Sequence, residues 1–259
     1  MGTKKLQTGR LSHRRRVYKN PPIEEAVCEF QFSNPENWNL IHSGLLLERV
    51  KKRYGGKPTE QRILRVTPPK GEASSALPPS VEEITKVKLN SVDGREIAAI
   101  GPGVLSVHLL KPYAGWEHFR SQIAEAFREY QKIGRPEAIR RIGVRYINRI
   151  VVPVAKGAPH EFFTTPPYTI PGIECSVDTY AIRGEYSLSG QSKVIVQLAS
   201  IEAPPNAFGV VLDIDVSRNW KEDSQNMQSA LKSVDELRDQ ERQVFEALIT
   251  DKARDFFDA

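Results

Sequence analysis

Arg141-Ile142-Gly143-Val144-Arg145-Tyr146-Ile147-Asn148-Arg149-Ile150 is the stretch on which the reading of this chain turns. Ile142, Val144, Tyr146, Asn148 and Ile150 fall on one face, and Arg141, Arg145 and Arg149 on the other. That is the period of two expected of a strand with one buried face. The β-branched run extends the strand over residues 139–152, in the middle of the chain, and Gly134-Arg135-Pro136 ends whatever precedes it.

The same order of elements appears on both sides. Toward the N-terminus, Ala26, Cys28, Phe30 and Phe32 alternate with polar neighbours as a first strand. A helix of about four turns through Leu40, Leu45–Leu47 and Val50 follows. Next come a short strand at 62–66, a Pro/Ser/Gly-rich loop at 68–79 and a meander of strands at 85–89, 96–100 and 104–110. Trp116, Phe119, Ile123, Phe127 and Tyr130 then recur at helical spacing. Toward the C-terminus the pattern predicts a short helix or loop at 160–165, strands at 178–188, 191–199 and 208–216, and a closing helix over 224–257. The expected fold class is α+β, with two βαβββα-like halves whose antiparallel sheets pack against helices. Their bounds are 20–135 and 136–259, either as separate units or as one continuous domain.

A disordered arm is predicted for residues 1–19. It carries Lys4, Lys5, Arg10, Arg14, Arg15, Arg16 and Lys19 and no acid, a charge of +7 in a chain whose net charge is +5. The remainder is therefore close to −2, so any nucleic-acid binding is expected from those seven residues alone. Hydrophobic residues make up 39% of the chain and charged residues 27%, which is globular rather than disordered usage. No apolar run is long enough for a membrane helix and no secretory signal is recognisable, so a cytoplasmic protein without a membrane partner is expected. Cys28 and Cys175 both lie in strand-like surroundings and read as buried free thiols.

No glycine-rich phosphate loop, nucleophile elbow or zinc-ligand spacing occurs, and neither a catalytic residue nor a cofactor is assigned. Three arginines along one strand face suit an anion. Asp213 and Asp215, two residues apart on a strand, suit cross-strand pairing with those arginines, or a hard cation. Asn148 is polar on an apolar face, so it either ties down a loop or lines a pocket; Tyr146 and His108 are set beside it as pocket residues. Phe256-Phe257, near the end of the closing helix, suits docking to a protein partner or a second copy if exposed.

The segments 20–30 (NPPIEEAVCEF), 105–119 (LSVHLLKPYAGWEHF) and 141–149 (RIGVRYINR) together resemble a sporadically distributed family of uncharacterised bacterial proteins of similar length. The resemblance covers the chain from Asn20 onward. It implies an accessory or mobile gene, of the kind associated with defence or toxin–antitoxin pairs, and no particular chemistry.

Three functions follow, each with its own structural expectation. A noncatalytic binding protein expects a groove without a cluster of converging titratable groups. A magnesium-dependent enzyme acting on a phosphate-containing substrate expects an open arginine face beside the acids. A regulatory subunit docking through the C-terminal helix expects an exposed apolar patch there.

Overall fold

The computed structural model describes residues 16–33, 38–67, 80–133, 138–165, 177–220 and 227–259. In chain order these residues form β1 (Ile23–Phe32), α1 (Ile41–Val50), β2 (Thr59–Thr67), β3 (Ser80–Asn90), β4 (Glu96–Gly101), β5 (Val104–Leu110), α2 (Trp116–Ile133) and β6 (Ile139–Pro153). They continue with α3 (Pro159–Phe162), β7 (Ala181–Ser187), β8 (Ser192–Ile201), β9 (Ala207–Asn219), α4 (Met227–Leu248) and α5 (Asp251–Phe257). The fold is mixed α/β: nine antiparallel strands in the order β2-β3-β4-β5-β1-β6-β9-β8-β7, with five helices.

Where two sheets were expected there is one, because β1 and β6 pair along their length, from Ile23↔Asn148 to Phe32↔Ile139. β2 is also longer than the short strand predicted and adds a fourth member to the meander. The loop at 68–79 and Cys175 lie outside the described residues. Cys28 is buried and free, and burial pushes its thiol pKa up.

The alternation read from β6 sets the layers. Ile142, Val144, Tyr146, Asn148 and Ile150 are all buried and stand in register with Cys28 of β1 and with Leu212, Ile214 and Val216 of β9 on the same face. α2 covers β1 and β5, where Phe127 stacks on Phe30 at 4.5 Å, and α4 covers β6 and β9. A two-point pair, Arg120 to Asp235 at 2.7 and 2.8 Å, joins the two helices.

The closing helix is broken where the sequence predicts continuity. Ile249 bridges to Phe163, and Thr250 restarts the helix as the N-cap of α5, its hydroxyl accepting from the Ala253 N–H. The last four residues assigned to the arm pack against the body. Within Arg16–Lys19, Tyr18 packs edge-on against Phe257 and Phe245, at 5.5 and 6.3 Å.

Candidate functional site

On α4, Arg238, Glu241, Arg242 and Phe245 lie three and four residues apart and so share one stripe. On β6, Tyr146 and Asn148 point toward that stripe. Tyr113 and Trp116 arrive from the turn between β5 and α2, where Gly115 takes φ +95°, a left-handed conformation that a side chain would strain. The segment from Arg16 to Ile23 closes the remaining wall, and together these residues enclose a cleft of about 440 Å³. A volume of that size suits a small organic ligand.

Glu241 is the unusual member. Its side chain occupies an apolar position of the helix, the residue is only 5% exposed, and among the described residues no hydrogen bond or ion pair reaches its carboxylate. Burial raises its pKa to about 8, against the weaker opposing pull of Arg238 and Arg242. Arg238 lies over the Trp116 ring at 5.2 Å, and its carboxylate partner is the half-exposed neighbour Asp239 at 2.9 Å. Arg242 donates to the main-chain carbonyl of Arg16, and burial lowers its pKa. Glu246 is fully engaged by Tyr18 and Arg254.

Across the cleft the Tyr113 and Tyr146 hydroxyls are 3.0 Å apart. Burial pushes Tyr113 up to about 12 and holds Tyr146 well above the usual phenol range. Asn148 lines the cleft and ties down no loop: its Nδ2 donates at 3.1 Å to the carbonyl of Leu212, its partner on the adjacent strand β9.

His108, set beside Tyr146 and Asn148 from sequence, lies elsewhere. Val107 and Leu109 turn inward on β5, which sends His108 to the opposite sheet face, 2.7 Å from Glu25 and 2.9 Å from Ser106. That face also holds the three arginines. Arg141 bridges Asp215 at 3.1 Å and Glu29 at 3.4 Å, Arg145 grips Asp213 at 2.5 Å, and Arg149 donates to the Glu202 carbonyl at 3.2 Å. Two of the three arginines, Arg141 and Arg145, are thus committed to cross-strand acid pairs in place of the open anion-binding face of the enzyme reading, while Arg149 is held by a main-chain carbonyl alone. Asp213 and Asp215 are committed to guanidinium groups, and among the described residues no group of three or more His, Cys, Asp or Glu gathers in a metal-binding arrangement.

Of the basic arm, Arg16 is bound to Asp258 at 2.6 Å and Lys19 donates its main-chain N–H to the same carboxylate. Both line the cleft. Lys4, Lys5, Arg10, Arg14 and Arg15 lie outside the described residues. The aromatic pair offered as a docking patch is turned inward: Phe257 is 2% exposed and Phe256 packs edge-on against Phe162 at 5.9 Å.

Sequence reading missed Glu241, Arg238 and Arg242. The signal was present for Glu241, which continues the stripe Val234, Leu237, Phe245 and Leu248 as its one charged member. The three segments that carry the family resemblance all reach this cleft, through Pro21 and Pro22, Tyr113 and Trp116, and Tyr146 and Asn148. No protein family, curated protein or solved structure matches the chain. Among the described residues no helix is long and apolar enough to cross a membrane.

Proposed function

We propose that this is a binding protein whose cleft takes a small organic ligand, while its basic N-terminal arm adds contact with nucleic acid. The observation that carries this reading is the cleft of about 440 Å³ walled by Tyr113, Trp116, Tyr146 and Phe245, with Glu241 and two guanidiniums at its base. Apolar walls with a few convergent polar groups are the usual anatomy of a small-molecule site. In this reading the chain consists of two βαβββα-like halves joined at β1 and β6, and it belongs to the bacterial family its three segments resemble. A cytoplasmic location is part of the same proposal, and an accessory or defence-type setting follows from that resemblance.

Ala114 is exposed at the cleft lining and supplies the test. Ala114→Trp places an indole at the rim of the cleft, to obstruct it without altering a buried residue. Library compounds that raise the unfolding temperature of the wild type are expected to lose that effect on the variant. Equal shifts for both proteins, or none for either, overturn the reading.

A second reading, an enzyme, is favoured by the convergence of Arg238, Glu241, Arg242, Tyr113 and Tyr146 on the cleft, where a noncatalytic binder was expected to lack such a cluster. A carboxyl with a pKa near 8 can lend or take a proton at neutral pH, as a general acid–base does. Glu241→Gln separates the two: a binder keeps its ligand, whereas an enzyme keeps its ligand and loses turnover.

A further inference from the structure

Among the described residues, charge balance around α4 leaves one guanidinium of the cleft without a carboxylate. Glu246 accepts from Arg254 at 2.9 Å and from Tyr18 at 2.9 and 3.1 Å, so it is occupied. Asp258 is held by Arg16, and Asp235 by Arg120. Arg238 has Asp239 and the Trp116 face. Arg242 is half-buried and lines the cleft. Among the described residues it is bonded only to the Arg16 carbonyl and has no carboxylate within 4 Å. A guanidinium carries five N–H donors in a planar fork suited to a two-oxygen acceptor. Leaving such a group partly desolvated and short of acceptors is unfavourable unless a ligand supplies them.

The surroundings add the rest of the recognition. Glu241 precedes Arg242 on the helix and faces the same space; in its protonated form it donates a hydrogen bond and repels no anion. Tyr113, Trp116, Tyr146 and Phe245 give walls suited to a flat unsaturated body.

Resting on the small-ligand reading above, we infer that the cleft selects an organic anion, a carboxylate or phosphate carried on a flat apolar body, whose oxyanion binds Arg242. Carboxylate and phosphate share this chemistry, so the experiment includes both.

Isothermal titration of the full chain with 2-naphthoate, 2-naphthyl phosphate and neutral 2-naphthamide tests it. At least one anion is expected to bind roughly 10-fold or more tightly than the amide, and Arg242→Gln to remove about that factor for the anion alone. Arg242→Lys, which keeps the charge, is expected to retain a preference for the anion and shows that a loss in Arg242→Gln is not a folding defect. If the amide binds as well as the anions, or Arg242→Gln leaves anion affinity unchanged, the anion assignment falls while the cleft remains a ligand site. If none of the three binds at millimolar concentration, or Ala114→Trp leaves binding intact, the assignment and the small-ligand reading fall together.

Discussion

The hydroxyl of Tyr18 donates to both carboxylate oxygens of Glu246, at 2.9 and 3.1 Å, and so ties the segment ahead of β1 to α4. Arg254 bonds the same carboxylate, so the acid keeps a partner when Tyr18 loses its hydroxyl. Tyr18→Phe retains the ring contacts with Phe245 and Phe257 and is expected to cost about 1 kcal/mol in chemical denaturation. An unchanged midpoint would deny the hydrogen bond any net role.

Glu241 gives the chain a predictable dependence on pH. Its folded pKa, about 8, lies above that of an unfolded glutamate, so the native state holds the proton more tightly. The stability contributed by this group is complete below the unfolded pKa and is lost as pH rises through about 8, by a few kcal/mol at most. Arg238, Arg242 and Glu246 on α4, Tyr113 ahead of α2 and Tyr146 on β6 are the charged and titratable groups around it. Glu241→Gln should flatten this slope; denaturation curves between pH 5 and 9 with the same slope for both proteins would refute it.

On the opposite face, Arg141 serves two acids at once, and both it and Asp215 are about a quarter exposed. Burial already raises the Asp215 pKa while Arg141 and Arg145 hold it down. Arg141→Met should therefore destabilise by about 1–2 kcal/mol at low salt, between the cost at a surface pair and that at a buried one. A double-mutant cycle with Asp215→Asn that returns no coupling would show that the pair is ornamental to stability.

Thr250 both caps α5, accepting from Ala253 at 3.4 Å, and donates to the Glu161 carbonyl at 2.5 Å. Thr250→Ala is expected to cost about 1–2 kcal/mol and Thr250→Ser much less, read from thermal unfolding. Equal losses for the two would assign the effect to the methyl group.

Neutralising Lys4, Lys5, Arg10, Arg14 and Arg15 to serine tests the arm while keeping Arg16 and Lys19, which line the cleft. If the arm contacts duplex DNA, the salt slope of log K should shrink by up to about 4.5, since each of the five neutralised charges contributes about 0.9. The same affinity and slope before and after would remove the arm from the function.

What was legible followed from periodicity. The alternation in 141–150 correctly separated a buried face from an arginine face, and Asn148, polar on the wrong side, pointed to the cleft that it lines. Glu241 was passed over because an isolated glutamate on a long helix normally faces water, and only its place in the stripe marks it as buried. Val107 and Leu109 carried the information that His108 points away. Two features had no local signal at all: the pairing of β1 with β6, which joins residues more than a hundred positions apart, and the docking of Tyr18 on the C-terminal helices.

The position of β1 bears on how the chain is made. Ribosomal synthesis delivers every strand and helix through α2 before any of β6 exists, and β1 can already pair with β5 by then. Its other edge, from Ile23 to Phe32, must wait for β6. During that interval the nascent chain displays an unpaired strand edge at what becomes the middle of the sheet, the kind of surface that recruits a wrong strand. Glu24, Glu25 and Glu29 along that strand are charges of one sign, which discourage pairing with another copy of the same segment; Lys111 and His108 meet Glu24 and Glu25, and Arg141 of β6 reaches Glu29 when it emerges.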